Sequence, residues 1–255
     1  MHSHDSHSLA TRYLPLPNEL RSTLVGKPYA LPDFGPADPE SLKGYRVALL
    51  TTHGPELPEF DVPLNYLRDR GAAIEVITQD WLFDWQPQGP GLVVLVQWIA
   101  ANVCAQADKK ISDAKVEDYD AIIIIGGAWN PIMLRTDDAM KNFVRAAHAQ
   151  RKLIAAICHG PQLLISSAAF PPGTRATCVA DVRIDLANAG FKLLDGPDNV
   201  EDYDRAIPVV YDEGQRLITS PNPNALRQFC EELGKRLKEI PSIAQYSTAI
   251  HIARS

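Results

Sequence analysis

LIAAICHGPQLLI, residues 153–165, is the stretch that decides the fold of this chain. Its first five residues form a short, uniformly apolar run, as in a strand that is buried on both faces of a parallel sheet. Cys158 follows at once, and Gly160 and Pro161 are typical of a chain that turns sharply into a helix. The pattern predicts a strand, a tight turn with Cys158 at its apex, and a helix that reaches about Ala168.

The sequence on both sides of this stretch alternates between short apolar runs and helical patterns. Further strands are predicted at 47–50, 74–77, 121–125, 209–210 and 217–219. Helices are predicted around Phe60–Leu67, after an N-cap at Thr136, and along the stripe of Leu226, Phe229, Cys230, Leu233 and Leu237. Strands and helices in this order form an α/β fold, an open and mostly parallel sheet with helices on both faces.

Three segments lie outside this alternation. Residues 1–44 are rich in proline and are predicted to form an N-terminal arm, and residues 241–255 a C-terminal tail. Between them, residues 45–240 form the predicted α/β domain. Residues 80–117 interrupt this domain as an insertion with Trp81, Trp85 and Trp98, a strand at Leu92–Val96 and a helix from Gln97.

Composition narrows the class of protein. The 255 residues are 45% hydrophobic, enough for a full core, and the net charge of −6 disfavours a nucleic acid as partner. No secretory signal or membrane-spanning run is found, and the four cysteines are not spaced for disulfides or zinc, which favours the cytoplasm. Cys104 and Cys230 have apolar neighbours in the sequence and are predicted to be core residues. The histidines of the first residues, His2, His4 and His7, are interpreted as part of a solvated terminus.

The predicted turn gives Cys158 the geometry of a nucleophile elbow, with cysteine in the place of serine. At the start of a helix, unpaired N–H groups and the helix dipole stabilise an anion, so the pKa of this thiol is expected to fall. The pair Gly126-Gly127 ends the strand of four isoleucines, at the same edge of the sheet. Its N–H groups are expected to form an oxyanion hole together with those that follow Cys158.

The residues 156–166, AICHGPQLLIS, resemble the ThiJ/PfpI superfamily and are closest to its PfpI-type protease and deglycase branch. The resemblance implies the class I glutamine amidotransferase-like, flavodoxin-like fold, with Cys158 as nucleophile and His159 as its base. It also implies a carboxyl group four residues before a helix proline, which is Glu59 before Pro63. Glu56 is a second acid in the same loop, and the resemblance implies no cofactor and no metal ion.

The sequence departs from this branch after Gly127, where Ile132 occupies the position of the acid that orients the histidine. Asp181 and Asp185 are the candidates to replace it, or the cysteine and histidine act without a third member. Without an orienting carboxylate, nothing fixes the tautomer of the histidine, and a peptidase reaction becomes harder to support. Trp129 is a candidate for the rim of the substrate pocket, or else a packing residue beneath the insertion.

Three functions remain open at this point. The first is a cysteine enzyme that acts on small reactive carbonyl compounds or their adducts, in the manner of glyoxalase III or a deglycase. The second is a cysteine peptidase or amidohydrolase, and the third a redox-sensing stress protein or chaperone with an oxidisable Cys158. The relatives imply a homodimer or a larger homo-oligomer, in which residues 80–117 form either an interface or a lid.

Overall fold

The computed structural model describes residues 32–84, 91–97, 100–194 and 208–245. Its main sheet has seven strands: β1 (Arg46–Leu50), β2 (Ala73–Thr78), β5 (Lys109–Lys110), β6 (Ala121–Ile124), β7 (Leu153–Ile157), β10 (Val210–Asp212) and β11 (Leu217–Ser220). Their order across the sheet is β10-β11-β7-β6-β1-β2-β5. All neighbours are parallel except β10 and β11, which are antiparallel. The predicted α/β class, with a mostly parallel sheet, is confirmed.

Helices fill the connections between the strands. They are α1 (Leu57–Arg68), α2 (Trp81–Asp84), α3 (Asn130–Leu134), α4 (Asp138–Ala149), α5 (Pro161–Ser167), α6 (Arg183–Asn188) and α7 (Leu226–Lys238). The connection from β1 through α1 to β2 runs towards one edge of the sheet, and the connection from β6 through α4 to β7 runs towards the other. Because such connections are right-handed, α1 and α4 lie on opposite faces of the sheet. Among the described residues, no helix has the length and apolar character that a membrane span requires.

The start of α4 lies one residue later than predicted. Asp137, not Thr136, is the N-cap, and its side chain accepts hydrogen bonds from the N–H groups of Ala139 and Met140. The hydroxyl of Thr136 instead donates to the carbonyl oxygen of Met133, at the end of the preceding helix. Because aspartate and threonine are both good caps, the two neighbouring positions could not be separated by residue type alone.

Two predictions about the insertion were wrong. The insertion contains a β-hairpin of β3 (Gly91–Gln97) and β4 (Ala100–Ala107), so the helix predicted from Gln97 was wrong. Cys104 lies on β4 and is exposed, so its assignment to the core was also wrong. Cys230, in contrast, is fully buried in α7. Of the three tryptophans, Trp81 begins α2, while Trp85 and Trp98 lie outside the described residues.

The last part of the predicted N-terminal arm packs against the domain. Leu42 is fully buried, and Phe34 makes an edge contact with the ring of Tyr66 on α1. The guanidinium groups of Arg70 and Arg227 lie close to the Phe34 ring. Residues 1–31, with the three histidines of the first residues, and residues 246–255 of the tail lie outside the described residues. The predicted domain limits therefore stay a prediction.

Candidate active site

Three neighbouring strands carry the candidate residues to one edge of the sheet. β1, β6 and β7 are adjacent and parallel, so their carboxyl ends lie side by side. Glu59 follows β1, the pair Gly126-Gly127 follows β6, and Cys158 follows β7. The chain order along the sheet reverses between β1 and β6, which is where open α/β sheets form their ligand crevice.

Cys158 has the strained backbone of a nucleophile elbow. Its φ angle is 59°, a left-handed conformation that costs energy for any residue other than glycine. The conformation is fixed on both sides, because its N–H donates to the carbonyl oxygen of Ser220 (2.8 Å) and its own carbonyl accepts from the N–H of Val179 (3.2 Å). The close approach of Gly160 to the carbonyls of Ile124 and Ile157 leaves no room for a β-carbon. The predicted turn is therefore present.

Glu59 lies beside the sulfur and is completely buried. Burial raises the pKa of its carboxyl group from an ordinary value near 4.5 to about 8, and the nearby Glu56 contributes to this rise. Contacts with the Cys158 thiol and with the N–H groups of Gly126 and Gly127 act in the opposite direction and are weaker. Within the described ranges, neither carboxyl oxygen reaches full hydrogen-bond geometry with a partner. A carboxyl group in such a site holds its proton at neutral pH and can donate it.

The predicted fall in the pKa of Cys158 was wrong in direction. The residue is 7% exposed, and burial raises the pKa of its thiol well above the ordinary value. The charge of Glu59 raises this pKa further, whereas the N–H groups of Gly127 and His159 lower it. The helix that follows is only seven residues long, so its dipole does not outweigh burial and a neighbouring carboxylate. The thiolate is therefore favoured when Glu59 is protonated.

Gly126 and Gly127 pack closely against Glu59, Cys158 and the loop 54–56. A β-carbon on Gly126 would collide with the carboxyl group of Glu59 and with the β-carbon of Cys158. Gly127 has a φ angle of 86° and lies against the backbone of residues 54–56. Because its N–H acts on both Glu59 and Cys158, it lies where a negative charge on the sulfur needs support. The oxyanion hole itself stays a prediction.

The imidazole of His159 bridges the thiol and a carboxylate. Its Nδ1 lies 3.2 Å from the sulfur of Cys158, and its Nε2 lies 3.0 Å from an oxygen of Asp181. The hydrogen bond from His159 lowers the pKa of Asp181, so this carboxyl group is ionised at neutral pH. Of the two acids considered from the sequence, Asp181 makes this contact, while Asp185 lies on α6. The histidine has an orienting carboxylate in its own chain.

We expect the change Asp181→Asn to lower the rate of substrate turnover at Cys158 by about 10- to 100-fold. An uncharged amide then replaces the carboxylate that stabilises the imidazole when it takes up the thiol proton. The effect is modest for a triad because the Asp181 side chain is 59% exposed and solvent screens its charge. The rate of substrate conversion against pH measures the change. Asp185→Asn is the matched control, and equal losses in both variants would contradict the role given to Asp181.

Asn130 is a residue of this site that the sequence did not single out. Its side-chain oxygen accepts hydrogen bonds from the N–H of Thr52 (2.6 Å) and from the hydroxyl of Thr51 (3.1 Å), just after β1. Its side-chain nitrogen donates to the carbonyl of Ile125 (2.6 Å), just after β6. This fully buried amide therefore fixes the spacing between the two strand ends that carry Glu59 and Gly126. The sequence signal that could have pointed to Asn130 was its position directly before the proline at the start of a helix.

The remaining candidates surround this centre. Trp129 is 47% exposed and its β-carbon lies against Gly54, and its role, at the rim of the pocket or in packing beneath the insertion, stays a prediction. Ile132, in the position where the relatives keep an acid, is 55% exposed. Glu56 is buried at the N-cap of α1, three residues before Glu59. These positions are compatible with contacts to a substrate, which stay a prediction.

Comparison with known proteins supports the same fold. The model of the DJ-1/PfpI family matches residues 45–236. General stress protein 18 of Bacillus subtilis is 31% identical over 189 residues, which are 74% of this chain and 95% of that protein. Protein/nucleic acid deglycase 2 of Escherichia coli is 33% identical over 187 residues, which are 73% of this chain and 94% of that protein.

Solved structures show the same architecture. The DJ-1/ThiJ/PfpI-like part of a two-domain protein from Anabaena variabilis, which also has a ferritin-like domain, is 30% identical, with a TM-score of 0.62. The match covers 76% of this chain and 50% of that one. Schizosaccharomyces pombe DJ-1 is 23% identical with a TM-score of 0.60, and the match covers 81% and 97% of the two chains. At this identity the second likeness concerns the fold alone.

Proposed function

The chain belongs to the DJ-1/PfpI family, and from this premise we propose that it is a cofactor-independent cysteine enzyme acting on small reactive carbonyl compounds, such as methylglyoxal, or on their adducts. The observation that carries the proposal is the contact of Cys158 with two proton carriers. Buried Glu59 lies beside its sulfur, and Nδ1 of His159, whose Nε2 contacts Asp181, lies 3.2 Å from it. The similarity to protein/nucleic acid deglycase 2 of Escherichia coli also supports chemistry on carbonyl adducts.

The proposed reaction starts with attack on the aldehyde. The thiol proton of Cys158 passes to Nδ1 of His159 while a bond forms between sulfur and the aldehyde carbon, and the carbonyl electron pair moves to oxygen. The N–H groups of Gly127 and His159 support this negative charge until it takes a proton and becomes a hemithioacetal. Glu59 is the donor within reach, because burial keeps its carboxyl group protonated near neutral pH.

The later steps rearrange the bound substrate and release it. The hydrogen on the former aldehyde carbon leaves as a proton and a proton is added at the neighbouring ketone carbon, while the hydroxyl proton of the hemithioacetal passes to the ketone oxygen, which gives a thioester of lactate on Cys158. Water then adds to the thioester, the carbon–sulfur bond breaks, and the thiol regains its proton. The sum is methylglyoxal plus water giving lactate, so no oxidant, reductant or cofactor is consumed.

The product distinguishes this reaction from simple trapping of the aldehyde. We expect the purified protein to convert methylglyoxal into lactate over many turnovers without any addition, with lactate measured by an enzyme-coupled assay. Lysine and arginine side chains also consume methylglyoxal, but they form adducts and no lactate. Loss of methylglyoxal without lactate, together with a rising protein mass, would overturn the proposal.

A peptidase or amidohydrolase is the second candidate, and the Asp181 contact favours it. Sequence alone left open whether Asp181, Asp185 or no acid orients His159, whereas the structure has the Asp181 carboxylate 3.0 Å from Nε2. An oriented histidine can protonate the leaving amine, which an amide needs and an aldehyde does not. Release of a fluorescent amine from unblocked and blocked peptides tests this candidate. Amine release that exceeds lactate formation would make it the main function.

The redox alternative has less support. Oxidation by peroxide requires an accessible thiolate, whereas Cys158 is 7% exposed and its pKa is raised. The similarity to a general stress protein is compatible with either role. Intact-mass measurement after mild peroxide treatment tests the redox role: a gain of two oxygen atoms confined to Cys158 would support sensing without excluding catalysis, and an unchanged mass would contradict sensing.

A further inference from the structure

The hairpin of β3 and β4 is attached to the loop 53–56 by backbone hydrogen bonds. The N–H of Gly54 donates to the carbonyl of Val94 (2.8 Å), and the N–H of Val96 donates to the carbonyl of Pro55 (2.9 Å). Glu56 and Val96 also form a parallel bridge. The free edge of β3 thus continues into the loop that leads to α1 and Glu59, so the position of this loop depends on the hairpin.

A histidine side chain completes this attachment. The N–H of Val94 donates to Nδ1 of His53 at 3.0 Å, and the ring of His53 makes an edge contact with that of Trp81 at 5.5 Å. An imidazole nitrogen that accepts a hydrogen bond carries no proton, so His53 is neutral here with its proton on Nε2. A second proton would occupy Nδ1, and the N–H of Val94 would lose its acceptor.

The loop in turn supports the reactive centre. The carbonyl oxygen of Gly54 and the backbone nitrogen of Glu56 lie directly against the α-carbon of Gly127. The N–H of Gly127 lowers the pKa of the Cys158 thiol. A shift of the loop therefore moves a group that stabilises the thiolate, although His53 itself does not touch the sulfur.

We propose that His53 is a positioning residue of the Cys158 site: in its neutral form it holds the hairpin on the loop 53–56, and its protonation releases that contact and weakens the support of Gly127 for the thiolate. The inference deepens the proposed function, since it rests on Cys158 as the reactive group. It identifies a residue that controls the reactivity of this thiol without belonging to the group of Cys158, His159, Asp181 and Glu59.

The surroundings of His53 decide where this contact titrates. Burial lowers the pKa of His53 below its ordinary value of 6.5, so the hydrogen bond is intact at neutral pH and is lost in acid. The ionisable groups of the elements around it are Glu56 in its own loop, Asp80 and Asp84 at the two ends of α2, and Cys104 on the hairpin. Because burial causes this shift, the contact is expected to be lost only below the ordinary pKa of a histidine.

Two substitutions at this position separate acceptor from charge. In His53→Asn the side-chain oxygen takes the place of Nδ1, so the acceptor stays and titration is removed. In His53→Leu the ring volume is roughly kept and the acceptor is lost. The two readouts are the rate of Cys158 alkylation by iodoacetamide between pH 5 and pH 8, followed on the Cys158 peptide, and the hydrogen-exchange protection of the Val94 amide.

Between pH 8 and pH 5, we expect the alkylation rate of the unchanged protein to fall about tenfold more than the rate of His53→Asn. A factor of about ten corresponds to the free energy of one lost hydrogen bond. His53→Leu should react about tenfold more slowly at every pH and lose protection at Val94, whereas His53→Asn keeps it. The pH-dependent groups other than His53 are common to all three proteins and cancel in the comparison.

Two results would overturn the proposal: a pH profile of His53→Asn that matches the unchanged protein, or full reactivity and Val94 protection in His53→Leu. If His53→Leu fails to fold, the comparison of His53→Asn with the unchanged protein still decides. Neither readout uses methylglyoxal, so failure of the proposed function, seen as absent lactate, is distinct from failure of this proposal.

Discussion

Replacing Cys158 with alanine is expected to lower lactate formation from methylglyoxal by about a thousandfold or more. Removing a nucleophile removes the covalent intermediate, and neighbouring proton carriers cannot replace it because they act only on groups bound to the sulfur. The fold should survive, since alanine fits within the volume of cysteine and adds no polar group. Initial rates of lactate release, with circular dichroism to verify folding, measure the effect.

A matched control for this change lies elsewhere in the chain. Cys104→Ala alters an exposed cysteine on the hairpin strand β4, away from the sulfur of Cys158, and should keep the full rate. If Cys158→Ala retained more than about a tenth of the activity, the covalent mechanism would be wrong, because a cysteine nucleophile contributes far more than that. Equal losses in both variants would point to a general effect of thiol removal.

The change Glu59→Gln is expected to alter the pH dependence of stability more than any other single substitution at the site. The pKa of this carboxyl group is about 8 in the folded protein and near 4.5 when exposed. Between these values the folded state holds a proton that the unfolded state has lost, so its stabilising effect is full below about pH 4.5 and is lost as pH rises through about 8. The loss amounts to on the order of 4 kcal/mol between pH 5 and pH 8.

Glutamine does not titrate, so urea unfolding of Glu59→Gln should lack this fall in the free energy of unfolding. The difference between the two proteins at each pH isolates the contribution of Glu59. Glu75→Gln is a control of opposite sign, because contacts with Tyr119 and Lys109 lower the pKa of Glu75 and its stabilising effect is lost in acid instead. Parallel curves for Glu59→Gln and the unchanged protein would contradict the raised pKa.

The central sheet and the cysteine turn could be predicted because both are local patterns. A short run of apolar residues is buried on two faces whatever surrounds it, as in Leu153–Ile157, and a turn with glycine and proline leaves few backbone paths. The hairpin was harder. Its second strand, AANVCAQA, is rich in alanine, which favours a helix in isolation, and it forms a strand because it pairs with β3.

The electrostatics of the site could not be predicted from residue type. Glu59 looks like any loop carboxylate in the sequence, and only the packing of α1 against the sheet ends shows that it is fully buried. The contact of Asp181 with His159 joins residues 22 positions apart, and the contact of His53 with Val94 joins residues 41 positions apart. Neither pair has a local pattern, since only tertiary structure brings its members together.

The left-handed backbone of Cys158 has an evolutionary consequence. At a φ angle of 59°, glycine would be the residue of least strain, and mutation towards it would relieve the turn. The residue that would relieve the backbone strain, glycine, therefore lacks the sulfur that the proposed reaction requires. Persistence of cysteine here requires continuous selection for its sulfur, and a lineage that lost the need for the reaction would be free to replace it and gain stability.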